Sequence, residues 1–323
     1  MEYYKLNWLP GDNYLFSLIN QSKLHLEKFI MENYIQIKCN LQYGYAINEF
    51  TQMYQYDELN CFDIIKIRND ELDIFEGDII SILKKMIKHE YSLLVPLNTY
   101  FVKAYPNAGI YSKSHECNIY NYDEKKQLFQ CRDFFDYEHY QEADCNFDEI
   151  REGILNYNKV EHISPNCNII ALKLKTLKKL EEVNIRKFYN ELENFLSWNA
   201  PINEVYYGIN WFDGIIEDLI YNKSGDYRIF EMHFLSEHIK LMIARFMYLQ
   251  ENKITNSLEQ ILERCDDFYK EISYYKLKWM KDKLQSNTQS LENSTIKKET
   301  IEVLKLLKEE YRKLISDSIK LNK

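Results

Sequence analysis

Two residues near the middle of the chain, His115 and Asp133, are of the types that perform general acid–base chemistry. The alternating stretch from His115 to Tyr122 and the stretch from Gln127 to Asp133 predict two strands, joined by a charged turn at 123–126. In this hairpin His115 opens one strand and Asp133 ends the other. A carboxylate bonded to one ring nitrogen of a histidine fixes its tautomer and stabilises the imidazolium. The pair therefore predicts a His–Asp dyad.

A nucleophile served by such a dyad is activated best at the start of a helix, where the helix dipole lowers a thiol pKa. The first predicted helix runs from Tyr14 to about Tyr34, with Asp12 or Asn13 at its N-cap. No Cys or Ser stands at this place, where the chain has Asp12 and Asn13. An amide is not a usable nucleophile, but it can hydrogen-bond an acyl oxygen in an oxyanion site.

The cysteines offer two substitutes for the missing nucleophile. Cys117 lies two residues from His115, on the same face of the predicted strand, and Cys39 follows the first helix. A buried, inert thiol is the default expectation for both. Their number is odd, their spacing is wide, and no C-x-x-C occurs, so we expect free thiols in a reducing cytoplasm. The seven cysteines are Cys39, Cys61, Cys117, Cys131, Cys145, Cys167 and Cys265.

One stretch of the chain brings together several residues of types that bind zinc. It lacks the paired short loops of structural zinc sites, so no metal site is expected. No P-loop, dinucleotide-binding or H-E-x-x-H motif is present either. The residues in question are His115, Cys117, Cys131, His139 and Cys145.

The elements that must position the dyad divide the chain into two regions. The first mixes strands at 35–39, 62–67 and Tyr91–Val102 with a helix at 78–88, and Pro96 marks an edge or a bulge. The fold class is therefore α+β, with an α+β lobe over 1–160 and an all-α lobe over 161–323. After a short strand at 168–172, helices are predicted at 178–198, 212–222, 233–251, 257–283 and 296–321.

The first half of the chain carries a strand with an aromatic pair, a His that opens the next strand, a Tyr-Asp turn and an Asp that ends the hairpin. The second half adds an Arg-aromatic stretch and a Glu-His-x-x-Leu-Met helix. These segments are 97–101, 111–115, 121–123, 132–133, 226–230 and 236–242. Together they resemble motifs of the papain-like acyltransferases of peptide-antibiotic and nonribosomal peptide clusters, typified by butirosin biosynthesis protein H.

The resemblance implies a papain-like first lobe with a central helix and an antiparallel sheet. It also implies transfer of an acyl group from a carrier protein or a small phosphopantetheine thioester, through a catalytic Cys, to an amine. The phosphopantetheine is carried by the substrate, so no cofactor is expected. His115 and Asp133 are the implied catalytic residues, and Asn13 occupies the nucleophile's place.

Substrate-binding residues are expected among the aromatic residues that flank His115 in sequence. Tyr100, Tyr111 and Tyr122 are candidates for the lining of an acyl or peptide groove. Arg228 either binds the phosphate of a carrier or closes an ion pair with a neighbouring acidic residue, Asp226 or Glu231.

Composition restricts the classes of function. The chain has 323 residues, 15% of them aromatic, which argues against disorder. A net charge of −9 argues against nucleic acid as a partner, and no apolar run is long enough to span a membrane. The N-terminus has no basic stretch followed by an apolar core, so no signal peptide is expected.

Three functions remain open at this stage. The first is an acyltransferase of thiotemplated peptide biosynthesis, and the second is an inactive relative that binds an acyl carrier, a peptide or a partner protein. The third is a helical interaction protein without an active site. Whether the helical lobe closes a cleft or joins two chains into a homodimer is also open.

Overall fold

The structure is a computed structural model, and it describes most but not all of the chain. The side chains of residues 10–13, 285 and 294–296 are not described. The described residues are 10–20, 22–42, 44–51, 61–68, 78–136, 140–160, 168–176, 182–198, 200–221, 228–255, 258–285 and 294–321.

The described residues form nine α-helices and nine β-strands, numbered here in chain order. The helices are α1 (Pro10–Ile19), α2 (Lys23–Glu32), α3 (Ile79–Lys88), α4 (Phe147–Leu155), α5 (Ile185–Ser197), α6 (Trp211–Tyr221), α7 (Ile229–Glu251), α8 (Glu259–Gln285) and α9 (Ser294–Lys320). The strands are β1 (Ile37–Asn40), β2 (Ile47–Phe50), β3 (Phe62–Arg68), β4 (Ser92–Asn98), β5 (Ser114–Asp123), β6 (Leu128–Asp133), β7 (Gln141–Asn146), β8 (Asn168–Leu174) and β9 (Val205–Tyr207).

These elements belong to two compact units, and neither unit is continuous in sequence. The first contains the described residues within Met1–Leu26 and Tyr56–Glu181, and the second those within Glu27–Gln55 and Glu182–Lys323. The division differs from the predicted lobes at 1–160 and 161–323. The reason is strand pairing: β8 joins the sheet of the first unit, whereas β1 and β2 pair within the second.

The first unit is built on a six-stranded antiparallel sheet in the order β3-β8-β4-β5-β6-β7. Every residue of β4 is buried. One face of the sheet packs in a common core with Leu83 of α3 and Ile150 of α4. α1 contacts β4, β5 and β8. The sheet and α1 together position the candidate site.

The predicted hairpin is confirmed, since β5 and β6 pair antiparallel with Tyr122 opposite Phe129. Pro96 lies in β4, between β8 and β5, and not at a sheet edge as predicted. It is accommodated because the pairing of β4 with β8 covers only Ser92 to Leu94, whereas the pairing with β5 continues to Asn98.

The first predicted helix, over 14–34, is two helices in the structure. α1 ends at Ile19 and α2 begins at Lys23. The polar residues Asn20 and Ser22 lie at the break, and short polar side chains compete with the helical backbone for its hydrogen bonds. α1 begins at Pro10, which suits the first position of a helix because its missing N–H would have no helical partner.

The second unit combines the five C-terminal helices with a three-stranded sheet in the order β2-β1-β9. Lys38 of β1 pairs with Tyr207, and Ile37 pairs with Phe50. The strand predicted at 168–172 is β8, whereas the prediction of helices alone after it is wrong at β9. β9 has only three residues, too few for an alternating pattern to be recognised. The fold class itself, mixed α+β with antiparallel sheets and C-terminal helices, is confirmed.

Candidate functional site

The hairpin brings His115 and Asp133 into hydrogen-bonding contact. The distance from His115 Nε2 to Asp133 Oδ1 is 3.1 Å. The Asp133 side chain is fully buried, whereas 21% of the His115 side chain is exposed. A buried carboxylate thus anchors the histidine, while part of the imidazole is accessible to solvent.

Asp133 receives two further hydrogen bonds. The backbone N–H of Phe134 donates to Oδ1 at 2.7 Å, and the hydroxyl of Tyr105 donates to Oδ2. Three donors on two buried oxygens suit an ionised carboxylate, which only accepts hydrogen bonds. His115 Nε2 must then carry the proton of this bond, which leaves Nδ1 of the neutral imidazole as a proton acceptor.

Tyr105 is a site residue that the sequence did not reveal. Its ring meets the His115 ring edge-on at a centroid distance of 5.7 Å and packs on Phe135 at 5.0 Å. Burial, with the charges of Cys117 and Asp133, raises the pKa of Tyr105, so its hydroxyl stays protonated and donates. Tyr105 lies in an irregular loop, where no periodicity predicts which side chains point inward.

Glu116 adds a third titratable group beside the dyad. It follows His115 in β5 and pairs with Pro96, so its side chain points away from that of His115. Burial raises the pKa of Glu116 to about 7; a protonated His115 opposes this rise and the charge of Asp133 adds to it. A carboxyl that titrates near neutral pH is a candidate acid or base.

The described cysteines do not supply an activated nucleophile. A hydrogen bond with Cys131 lowers the pKa of Cys117, but burial and the charge of Asp133 outweigh it and leave that pKa raised. Burial likewise raises the pKa of Cys39. Both are inert by the usual criterion of thiolate character. Cys167 lies outside the described residues. All six described cysteines are free and buried: Cys39, Cys61, Cys117, Cys131, Cys145 and Cys265.

α1 packs against β5, which bears His115, and against its neighbour β4. Asn13 is the fourth residue of this helix and not its cap, and its side chain is outside the described part of the chain. The next residue, Tyr14, is buried and donates its hydroxyl to the carbonyl of Ser92 at 2.6 Å, which fixes α1 on β4. Tyr140 lies near both Tyr14 and Asp133, since its pKa is raised by burial and by the charge of Asp133, and it acts in turn on Tyr14.

The loop between β4 and β5 leads into His115 and carries exposed aromatic residues. Thr99 N–H donates to Lys113 O at 2.9 Å, which closes the loop two residues before His115. Gly109 N–H donates to Tyr100 O at 2.8 Å. Tyr100 is 37% exposed and Tyr111 is 53% exposed.

A buried amide holds this loop together. Asn107 Nδ2 donates to Tyr111 O at 2.8 Å and to Thr99 Oγ1 at 2.7 Å. Ile110 lies between Asn107 and Tyr111 in the chain and is 72% exposed. It adds an apolar side chain that the sequence did not single out. The loop is thus an internally bonded platform beside the dyad.

The structure does not bring Tyr122 to the dyad. Tyr122 is seven residues from His115 along β5, about 23 Å at the rise of an extended strand. It packs partly buried against the core. The prediction that Tyr122 lines the same groove as Tyr100 and Tyr111 rested on closeness in sequence. In an extended strand, residues seven positions apart are far apart in space.

Arg228 belongs to the second unit and is buried. Its Nη1 lies 2.6 Å from Asp218 Oδ2 and 3.3 Å from Glu231 Oε1. Asp226 is outside the described residues. These contacts match the ion-pair alternative with Glu231, and they surround the guanidinium with carboxylates that would repel a phosphate.

His238, in the Glu-His-x-x-Leu-Met segment, is a buried structural histidine. Its Nε2 donates to Ile35 O at 2.8 Å and its Nδ1 accepts from the Tyr311 hydroxyl at 2.9 Å. Burial, with the charge of Arg245, lowers the pKa of His238 to about 3. The imidazole therefore stays neutral and joins α7 to α9.

Among the described residues, no group of three or more His, Cys, Asp or Glu side chains is arranged to hold a metal ion. His139, one of the candidates for zinc, lies outside them. None of the described helices is long and apolar enough to cross a membrane. No protein-family model matches the chain, and no curated protein matches its sequence.

Proposed function

We propose that the protein transfers an acyl group from a carrier-bound or phosphopantetheine thioester to an amine, as an acyltransferase of thiotemplated peptide biosynthesis. The observation that carries the proposal is the hydrogen bond from His115 to Asp133, a buried carboxylate that accepts three hydrogen bonds in all. The papain-like character of the first lobe belongs to the same proposal. It is supported by the packing of α1 against the strand that bears His115.

The dyad suits general-base catalysis of this reaction. His115 Nδ1 accepts a proton from the attacking amine while the amine nitrogen forms a bond to the thioester carbon. The carbon–sulfur bond then breaks, and the departing thiolate takes the proton from the imidazolium. Asp133 stabilises the imidazolium while it exists. Because the described thiols are buried, the amine attacks the thioester directly, without an acyl-cysteine.

The loop platform supplies a surface for the acyl group. Tyr100, Ile110 and Tyr111 are exposed on the loop that leads into β5 and His115. Aromatic rings offer apolar contact at low cost in conformational entropy. An apolar or aromatic acyl chain is therefore the substrate that this surface fits.

A second candidate function is binding of an acyl carrier, a peptide or a partner protein without turnover. It is favoured by Asn13 at the place where the resemblance expects a nucleophile. The first candidate requires a carrier-bound or free thioester as partner, and neither candidate requires a cofactor of the protein's own. Both also place the protein in a reducing cytoplasm, which the six free thiols support.

The test incubates the protein with butyryl-, octanoyl- and phenylacetyl-pantetheine and an amine, and measures amide by mass spectrometry. Intact-protein mass spectra of the same samples report any covalent acyl adduct. We expect amide without adduct. No amide from any of the three thioesters, together with saturable thioester binding, contradicts transfer and supports the second candidate.

A further inference from the structure

The two oxygens of Asp133 are assigned to different donors. Oδ1 accepts from His115 and from the Phe134 backbone, and Oδ2 accepts from the Tyr105 hydroxyl. Rotation of the carboxylate would break at least one of these bonds. In a fully buried site such a loss leaves a polar atom without a partner, which is costly.

We propose that Tyr105 is a positioning residue that acts through Asp133 to hold His115 in the tautomer with Nδ1 free. Tyr105 touches neither substrate nor reacting atoms in this account. The inference deepens the proposed function, because it assigns the control of the same general base.

Tyr105 is itself fixed in place on all sides. Its backbone N–H donates to Val102 O at 3.0 Å, and its carbonyl accepts from Ala108 N at 3.1 Å. Its ring lies between those of His115 and Phe135. The hydroxyl therefore has one defined direction, toward Oδ2.

The hydrogen bond to Oδ2 has a consequence for the imidazole. It keeps the carboxylate from rotating, so Oδ1 stays directed at His115 Nε2. Without this donor the carboxylate can turn, and the imidazole is no longer held in one tautomer. Among the described residues, the titratable groups around the dyad include Cys117 on the same strand face, Glu116 on the opposite face and Tyr140 just before β7.

The chain offers a matched control for removal of this hydroxyl. The Tyr140 hydroxyl is buried near Asp133, but it has no hydrogen-bond partner among the described residues. Its ring packs on Phe134 at 5.4 Å, a contact that Phe retains. Tyr105→Phe and Tyr140→Phe each remove one buried hydroxyl, and only the first removes a bond to Asp133.

The test follows the imidazole nitrogens of His115 by NMR on the full chain, with His115→Gln used to assign the signals. In Tyr105→Phe we expect the nitrogen shifts of His115 to show loss of the pure Nε2–H tautomer. Tyr140→Phe should match the wild type.

Should Tyr105→Phe not fold, 3-fluorotyrosine placed at position 105 replaces it, because the ring is kept and the hydroxyl becomes a stronger donor. We then expect the Nε2–H proton resonance of His115 to move upfield, because the stronger donor withdraws charge from Asp133 and weakens the hydrogen bond from Nε2–H. An unchanged tautomer in Tyr105→Phe, or an unmoved Nε2–H resonance in the fluorotyrosine protein, overturns the role of Tyr105. A changed tautomer or a moved resonance in a protein that forms no amide keeps that role and contradicts the acyl transfer instead.

Discussion

At the scale of single residues, the candidate chemistry depends on the buried carboxylate of Asp133. His115 and Asp133 were predictable, because strand alternation and a charged turn set both ends of the hairpin. Tyr105 was not, since its direction comes from tertiary contacts with Val102, Ala108 and Phe135. A regular pattern thus predicts the dyad, whereas the residue that completes it comes from an irregular loop.

Asp133→Asn tests the carboxylate itself. The amide has one oxygen, so it cannot accept hydrogen bonds from all three donors. Its NH₂ group is itself a donor and is placed against at least one of the three. We expect the rate of amide formation to fall by roughly 10²–10⁴, the usual contribution of a general base. Asp144→Asn, an exposed position on β7, is the control and should keep the wild-type rate. Equal rates in the two variants contradict the role of Asp133.

Tyr111→Ala tests the loop platform. Loss of one aromatic contact should raise the KM for phenylacetyl-pantetheine about tenfold, with kcat changed little. Tyr45→Ala is the matched control, because Tyr45 is also 53% exposed but belongs to the second unit. Steady-state kinetics on the two variants decide the point, and a KM unchanged in Tyr111→Ala argues against acyl binding at this loop.

At the scale of elements, the predictable parts are the long periodic helices. α6 to α9 were predicted with ends within a few residues. The prediction of a single helix over 14–34 was wrong because the apolar spacing continues across the break at Asn20 and Ser22. β7 and α4 were not predicted, since β7 has four exposed or half-buried polar positions and a weak alternation. Packing in three dimensions decides such segments.

The hydrogen bonds that His238 of α7 makes with the Ile35 carbonyl and with Tyr311 of α9 predict a pH dependence of stability. The folded state keeps this imidazole neutral down to a pKa of about 3, whereas an unfolded chain protonates it near 6.5. Between these values the unfolded state binds more protons, so stability falls as the pH drops below 6.5.

Between pH 7.5 and 5, the free energy of unfolding of the wild type should therefore fall by about 2 kcal/mol more than that of His238→Gln. Glutamine keeps a donor for Ile35 O and an acceptor for Tyr311. His89→Gln, at an exposed position, should behave as the wild type. Urea titrations at the two pH values measure the difference, and parallel losses in all three proteins would exclude His238 as the cause.

At the scale of the whole molecule, the chain crosses between its two units more than once. The predicted boundary at 160 followed the change from strand to helix periodicity, which local sequence shows. Pairing of β8 with β3 and β4 is a long-range contact, and no local pattern contains it. The same holds for β9, which pairs with β1 across more than 160 residues.

Truncation distinguishes the two boundaries. A fragment of residues 1–160 lacks β8, so β3 and β4 lose the strand between them and their backbone groups lose partners. We expect amide NMR spectra without native dispersion for 1–160, and dispersed sheet resonances for 1–181, which contains the whole first unit. A well-dispersed spectrum from 1–160 would restore the boundary predicted from periodicity.

The central claim is that His115 acts as the general base of acyl transfer, and the initial rate of amide formation from an acyl-pantetheine thioester tests it most directly. His115→Gln should form amide roughly 10²–10⁴ times more slowly than the wild type. His89→Gln, an exposed histidine of the same unit, should equal the wild type. A wild-type rate in His115→Gln, or no amide from the wild type, would contradict the account.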